Sequence, residues 1–98
     1  MFTHEAGVIR RLMRNQCRIV YRDHAERIRM AQRGITENDV RTILGKCRVT
    51  DIREHKLGPV WSAEATDLDG RNLRVCVSVP KPETAIIVIT TIDLDARD

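Results

Sequence analysis

Residues 22–40 read RDHAERIRMAQRGITENDV, and their pattern predicts two helices joined by a tight corner. Asp23 is a good N-cap, because its carboxylate can accept from the free N–H groups of a first helical turn. Glu26 stands three residues on, as in a capping box. Ala25, Ile28 and Ala31 recur at helical spacing and are expected to form the buried apolar stripe, with Met30 and Arg33 on the far side. Gly34 is the expected stop, since the residue past a helix C-terminus often needs positive φ. Arg33 then lies in the last turn, where a cation suits the negative end of the macrodipole. Thr36 opens the second helix with Asp39 in the reciprocal capping position. Val40, Ile43 and Leu44 are its expected buried face and Gly45 its stop.

Upstream, residues 1–16 are separate in character and predict a helical extension. Thr3 is its expected cap, Val8, Ile9, Leu12 and Met13 its apolar residues, and Arg10, Arg11 and Arg14 its basic ones. The reading adopted is a helix packed on the body. The alternative is a helix offered to a partner chain or to phosphates. Cys17 to Tyr21 is a short β-type run, either a first strand or an extended lead into the next helix.

Downstream the chain reads as strand. Cys47 to Arg53 alternates weakly. Glu54 to Pro59 contains Gly58-Pro59 and is expected to be a loop. Trp61 to Thr66 and Leu73 to Val79 alternate, with Asp69-Gly70 marking the turn between them. A three-residue loop, Leu68-Asp69-Gly70, sets Ala65 opposite Leu73, Ala63 opposite Val75 and Trp61 opposite Val77. It also sets Glu64 opposite Arg74 and Ser62 opposite Cys76. This register sorts apolar from polar on the two faces, whereas a slip of one residue would scramble them. Pro80-Lys-Pro82 forces a turn. Ala85 to Ile92 is an almost continuous β-branched run, expected to be a central strand buried on both sides or nearly so. The fold class is therefore α+β: N-terminal helices packed on one face of an antiparallel sheet of about four strands.

Ninety-eight residues make one domain, divided here into the extension 1–16, a core 17–93 and a frayed polar tail 94–98. The formal charge of +3 is compatible with a polyanion partner without requiring one. Cys17, Cys47 and Cys76 are odd in number and lack a CxxC spacing, which argues against a zinc site or a disulfide framework and for a reducing compartment. With no run of membrane-spanning length and no signal-peptide run, the expected localisation is cytoplasmic. No cofactor is expected, because phosphate-cradling Gly loops, paired catalytic carboxylates, HExxH and GxSxG are all lacking.

The pattern His24-x2-Arg27-x5-Arg33-Gly34-Ile35-Thr36-x2-Asp39-Val40, followed by Leu73-Arg74-Val75 and Val88-Ile89-Thr90, resembles an uncharacterised bacterial family, the domain of unknown function numbered 4258. The likeness runs from about Ile19 to Ile92, and its HAxxR…RGI segment is its most specific part. Helices before an antiparallel sheet also look like the RelE-like toxin fold, whose members include ribonucleases that cut messenger RNA. That resemblance implies a toxin-type domain that binds or cleaves RNA, with an antitoxin-like protein or a second copy of the chain as a further partner. Ribonucleases of that fold carry basic residues, and often a Tyr, on or beside the sheet; here the sheet offers Arg74, and the Tyr is Tyr21.

A metal-free ribonuclease must help the 2′-oxygen attack, neutralise the phosphorane and protonate the leaving 5′-oxygen. His24, Arg27 and Arg74 are the candidate catalytic residues, and Arg33, His55 and Lys56 the candidate nucleic-acid contacts. Each has a structural alternative. His24 could be a helix-start histidine bonded to a strand, and Arg27 an i,i+4 partner of Asp23. Arg33 could be a helix-end charge, Arg74 the cross-strand partner of Glu64, and His55 a solvated loop residue. Cys76, flanked by valines, is read as packing rather than a nucleophile. The competing function is a non-catalytic interaction module using a sheet edge or the N-terminal helix.

Overall fold

The corner forms as its residues dictate. In a computed structural model, which describes residues 2–56 and 58–96, α2 spans His24–Gln32 and α3 spans Glu37–Lys46. Asp23 Oδ1 accepts from the Glu26 N–H at 2.8 Å. Gly34 takes φ +67°, the left-handed region that a β-branched residue enters only under strain. Thr36 and Asp39 cap α3 reciprocally, through bonds of 3.1 and 2.9 Å. Val40, Ile43 and Leu44 are fully buried.

Two expectations for this stretch fail. Gly45 does not stop α3, which continues to Lys46 and gives way at Cys47, whose extended backbone leads directly into the next strand. No reversal is needed there, so no positive φ is needed either, and a Gly inside a helix costs only about 1 kcal/mol. The second failure is the buried face of α2. Ala25, Ile28 and Ala31 are exposed, whereas Glu26 and Met30 are buried. Glu26 does not reach back to its own N-cap. It is 0% exposed and accepts from the Thr91 N–H at 3.0 Å and the Thr91 hydroxyl at 2.9 Å, and from Arg29 Nε at 3.3 Å. A buried carboxylate is tolerable when its lone pairs are filled in this way.

Before the corner stand α1 (Thr3–Arg14) and β1 (Arg18–Tyr21); after it come β2 (Arg48–His55), β3 (Gly58–Thr66), β4 (Asn72–Ser78) and β5 (Ala85–Asp93). α1 packs on the body through Ala6, Val8, Ile9 and Leu12. Its N-cap is Phe2 rather than Thr3, and no side chain caps it. β2 and β3 run closer together than expected. Glu54 pairs with Pro59 and His55 with Gly58, so most of the expected loop is ladder, with Leu57 outside the described residues. Pro59 is tolerated because it lies at the start of its strand.

The sheet has five strands in the order β1-β5-β4-β3-β2, one more than expected. β1 lies at the edge and pairs in parallel with β5, Arg18 with Ala85 through Tyr21 with Val88, so the sheet is mixed rather than purely antiparallel. The β3–β4 hairpin has the expected register, including Ala65 with Leu73, Glu64 with Arg74 and Trp61 with Val77. Gly70 closes its turn with φ +85°. The helices cover the face bearing Ala63, Leu73, Val75, Val77, Ile86 and Val88, which with α1 and α3 make one core. Among the described residues no layer covers the opposite face, and Ile87 and Ile89 of β5 are only half-buried; the strand is central at its edges but covered on one face only.

Two bulges keep the strands in phase with this core. In β5 the register shifts beside Ile89, because Val77 pairs with Val88 but Cys76 with Thr90. Ile89 and Thr90 therefore both face the open side, and Thr91 returns to the buried side beneath α2. In β2 the shift at Thr50 puts Thr50 and Asp51 both on the open side and returns Ile52 to the core. One extra residue against the partner strand does this without breaking the sheet.

The hairpin turn is tied to the corner. The Asp67 carboxylate accepts from the Asp69 and Arg71 N–H groups and from Arg71 Nε, at 2.8–2.9 Å. Arg71 then donates to the Gly34 carbonyl at 3.2 Å and to Asp39 at 3.1 Å. Burial alone would raise the Asp67 carboxyl, but the bonds from Arg71 and Asp69 outweigh it and hold the group below its ordinary value. Of the expected tail, residues 94–96 are described. The Asp95 carboxylate takes the Asn72 N–H at 2.9 Å, and the Leu94 N–H donates to the Asn72 carbonyl.

Candidate nucleic-acid interface

β1 ends at Tyr21 and α2 begins at His24, so the last turn of strand and the first turn of helix share one corner of the molecule. His24 and Arg27, three residues apart on α2, both project there. Arg27 lies over the Tyr21 ring, 5.4 Å from its centroid, a cation–π contact worth about 0.5–1 kcal/mol at an exposed site. Its Nη2 also meets Glu37 Oε1 at 3.2 Å, with both side chains more than half exposed. Such a pair contributes at most about 1 kcal/mol and can exchange its carboxylate for another anion. The expected alternative for Arg27, a pair with Asp23, is not what forms.

Arg18, Tyr21, His24, Arg27 and Glu37 line a shallow groove of about 630 Å3 along the free edge of β1. His24 is exposed, and among the described residues nothing hydrogen bonds to its ring, so it is not the bonded helix-start histidine of the structural alternative. The Tyr21 phenol is raised above its ordinary value, first by burial and then by Glu37, with Arg27 and Arg41 opposing. It stays protonated at neutral pH and is a hydrogen-bond donor there. Arg41 is thus a second guanidinium, after Arg27, within electrostatic reach of the phenol.

Arg74 is elsewhere. It lies on β4, on the open face, and its Nη2 meets Glu64 Oε2 at 2.8 Å; the Thr50 hydroxyl binds the same oxygen at 2.8 Å. Burial would raise Glu64, but the bonds from Thr50 and Arg74 prevail and lower it. Arg74 lines a polar groove of about 490 Å3 with Ser62, Cys76 and Thr90, which has no residue in common with the groove of His24 and Arg27. The structure thus brings together two of the three candidate catalytic residues and separates the third. Of the candidate contacts, Arg33 caps the end of α2 and donates to the Thr91 carbonyl. His55, the last residue of β2, and Lys56 after it are exposed; neither lines the groove of His24, although His55 lines a neighbouring groove with Val20 and Tyr21.

The thiols offer no nucleophile. Burial pushes Cys47 up to about 11 and raises Cys17 and Cys76 as well, so all three are protonated at neutral pH. Sequence reasoning missed Arg18, which lines the same groove as His24. The available signal was the position of Asp23: a strand that runs straight into an N-cap must lay its last residues beside the first helical turn. Among the described residues no helix is long and apolar enough to cross a membrane.

No curated protein and no solved structure matches the chain significantly. One family does: the domain of unknown function DUF4258 matches residues 21–93, from the Tyr21 that carries Arg27 to the last residue of β5. On the strength of a match spanning the corner, the capped second helix and the four strands that follow it, the chain belongs to the DUF4258 family.

Proposed function

We propose that this domain binds RNA along the β1–α2 groove and cleaves it by metal-free acid/base chemistry. The observation that carries the reading is the convergence of Arg18, Tyr21, His24 and Arg27 on one open groove. Arg18 and Arg27 supply charge-assisted donors for phosphate oxygens, and the protonated Tyr21 phenol supplies a neutral one. His24 is the acid/base group, because it is exposed in the groove and an imidazole nitrogen can both accept and return a proton. The His24 imidazole takes the 2′-hydroxyl proton as that oxygen attacks phosphorus, the bond to the 5′-oxygen breaks, and the imidazolium returns the proton to the leaving oxygen. Arg74, neutralised by Glu64, has no part in this reading.

RNA binding measured across a salt series tests it. Wild type should bind single-stranded RNA at low salt and weaken steeply as salt rises. Arg27→Ala should lower the slope of log K against log salt by about 0.7, the value of one phosphate contact on a single strand. His24→Ala should keep the binding and lose the cleavage. Wild type that neither binds nor cuts at low salt would refute the proposal. The better reading would then be a protein-interaction module, favoured by the uncovered face of the sheet.

A further inference from the structure

The open face of the sheet is divided into two unlike halves. Around β3 and β4 the polar groove neutralises its own cations: Glu64 meets Arg74 at 2.8 Å and Asp51 meets Arg53 at 2.9 Å. Toward β1 lies a second groove, of about 320 Å3, which does the opposite. Its apolar surface comes from Val20, Val60, Ile87 and Ile89, and its polar side is formed by Arg22 and His55. No Asp or Glu lines it, and Arg22 has no ion-pair partner among the described residues. The Arg22 backbone is fixed, its N–H donating to the Val88 carbonyl at 2.9 Å, so the guanidinium is presented from a rigid point.

We propose that this groove binds a small amphiphilic carboxylate, a molecule with an apolar body and one acid group. The volume is at the lower end of that found for small-molecule pockets, too small for a folded element and enough for a short alkyl or aryl-alkyl chain. Apolar contact with the four branched side chains supplies affinity. Arg22 supplies the selection, since a guanidinium can meet a carboxylate with two parallel bonds, and His55 can add a third donor. The site adjoins the proposed RNA groove and does not contain its acid/base group. It shares Val20 and Tyr21 with the β1–α2 groove but contains neither His24 nor Arg27.

The test uses octanoate and octanol as probes, titrated into the full chain and followed by backbone and methyl NMR. Octanoate should give saturable shifts centred on Val20, Ile87 and Ile89, and octanol the same shifts about tenfold more weakly. Arg22→Gln should abolish the difference between acid and alcohol while leaving octanol unchanged. Ile87→Thr, which keeps a β-branched residue on the strand, should weaken both probes. Equal affinity for the two probes in wild type, shifts centred elsewhere, or no saturation would overturn the proposal. So would the same residues shifting with protein concentration alone, which would mean that a second copy of the chain covers the groove. Because Arg22→Gln and Ile87→Thr leave His24 and Arg27 untouched, RNA cleavage should persist in both variants whatever the probes do.

Discussion

Helices α2 and α3 are neighbours in sequence, similar in length and both capped by side chains, yet they attach to the sheet in different ways. α3 is held by Val40, Ile43 and Leu44, all fully buried, so its attachment is apolar and non-directional. α2 is held by a buried Glu and a Met. The Glu26 carboxylate takes both the backbone N–H and the hydroxyl of Thr91, and Arg33 returns to the carbonyl of the same residue. The residues that look like its core stripe face outward, Ile28 with 47% of its surface exposed. The difference teaches that an apolar period marks a buried face only where the partner surface is apolar. Where the sheet presents a threonine and an open backbone N–H, a carboxylate is the better complement.

The largest effect expected from this contrast is in α3. Leu44→Ala should destabilise the domain by about 3 kcal/mol, the usual cost of emptying a fully buried leucine site, read from chemical denaturation. A loss below about 1 kcal/mol would mean that α3 is not the apolar anchor described here. Next comes the polar anchor. Glu26→Leu should cost about 2 kcal/mol, because it leaves the Thr91 N–H and hydroxyl buried without an acceptor. Thr91→Val should then cost about 1 kcal/mol less in the Glu26→Leu background than in wild type. Additive costs would show that Met30 alone secures α2. The smallest effect is expected at Ile28. Ile28→Ser should change stability by no more than about 0.5 kcal/mol; a larger loss would restore the stripe of Ala25, Ile28 and Ala31 as a packed face.

The same contrast explains how far the sequence could be read. α3 was legible because its cap, its stripe and its packing agree. The hairpin register was legible because only one loop length sorts both faces, and Glu64 does sit opposite Arg74. The face of α2 was not, since it depends on Thr91, and Thr91 is buried only because of the bulge beside Ile89. Nothing in a run of β-branched residues says where one extra residue will be inserted. The parallel pairing of β1 was equally hidden, because four residues carry no mark of their partner 67 positions away in the chain, the offset between Arg18 and Ala85. For the candidate site, helical spacing put His24 beside Arg27. It could not exclude Arg74, whose distance from them depends on strand order.

The place of β1 also has a consequence for how the chain folds. β5 is the last of the elements in sequence order, and it lies between β1 and β4. The β2–β3–β4 meander can form from local hairpins as it leaves the ribosome, but β1 must wait for β5 before it has any strand to pair with. Until then the residues that line the His24 groove from the strand side, Arg18 to Tyr21, have no ladder to hold them. Joining the first strand to the last is a long-range closure of the kind that slows folding. A nascent chain arrested before β5 should therefore protect the meander amides from hydrogen exchange while leaving those of β1 open, so that the His24 groove is completed only when β5 is in place.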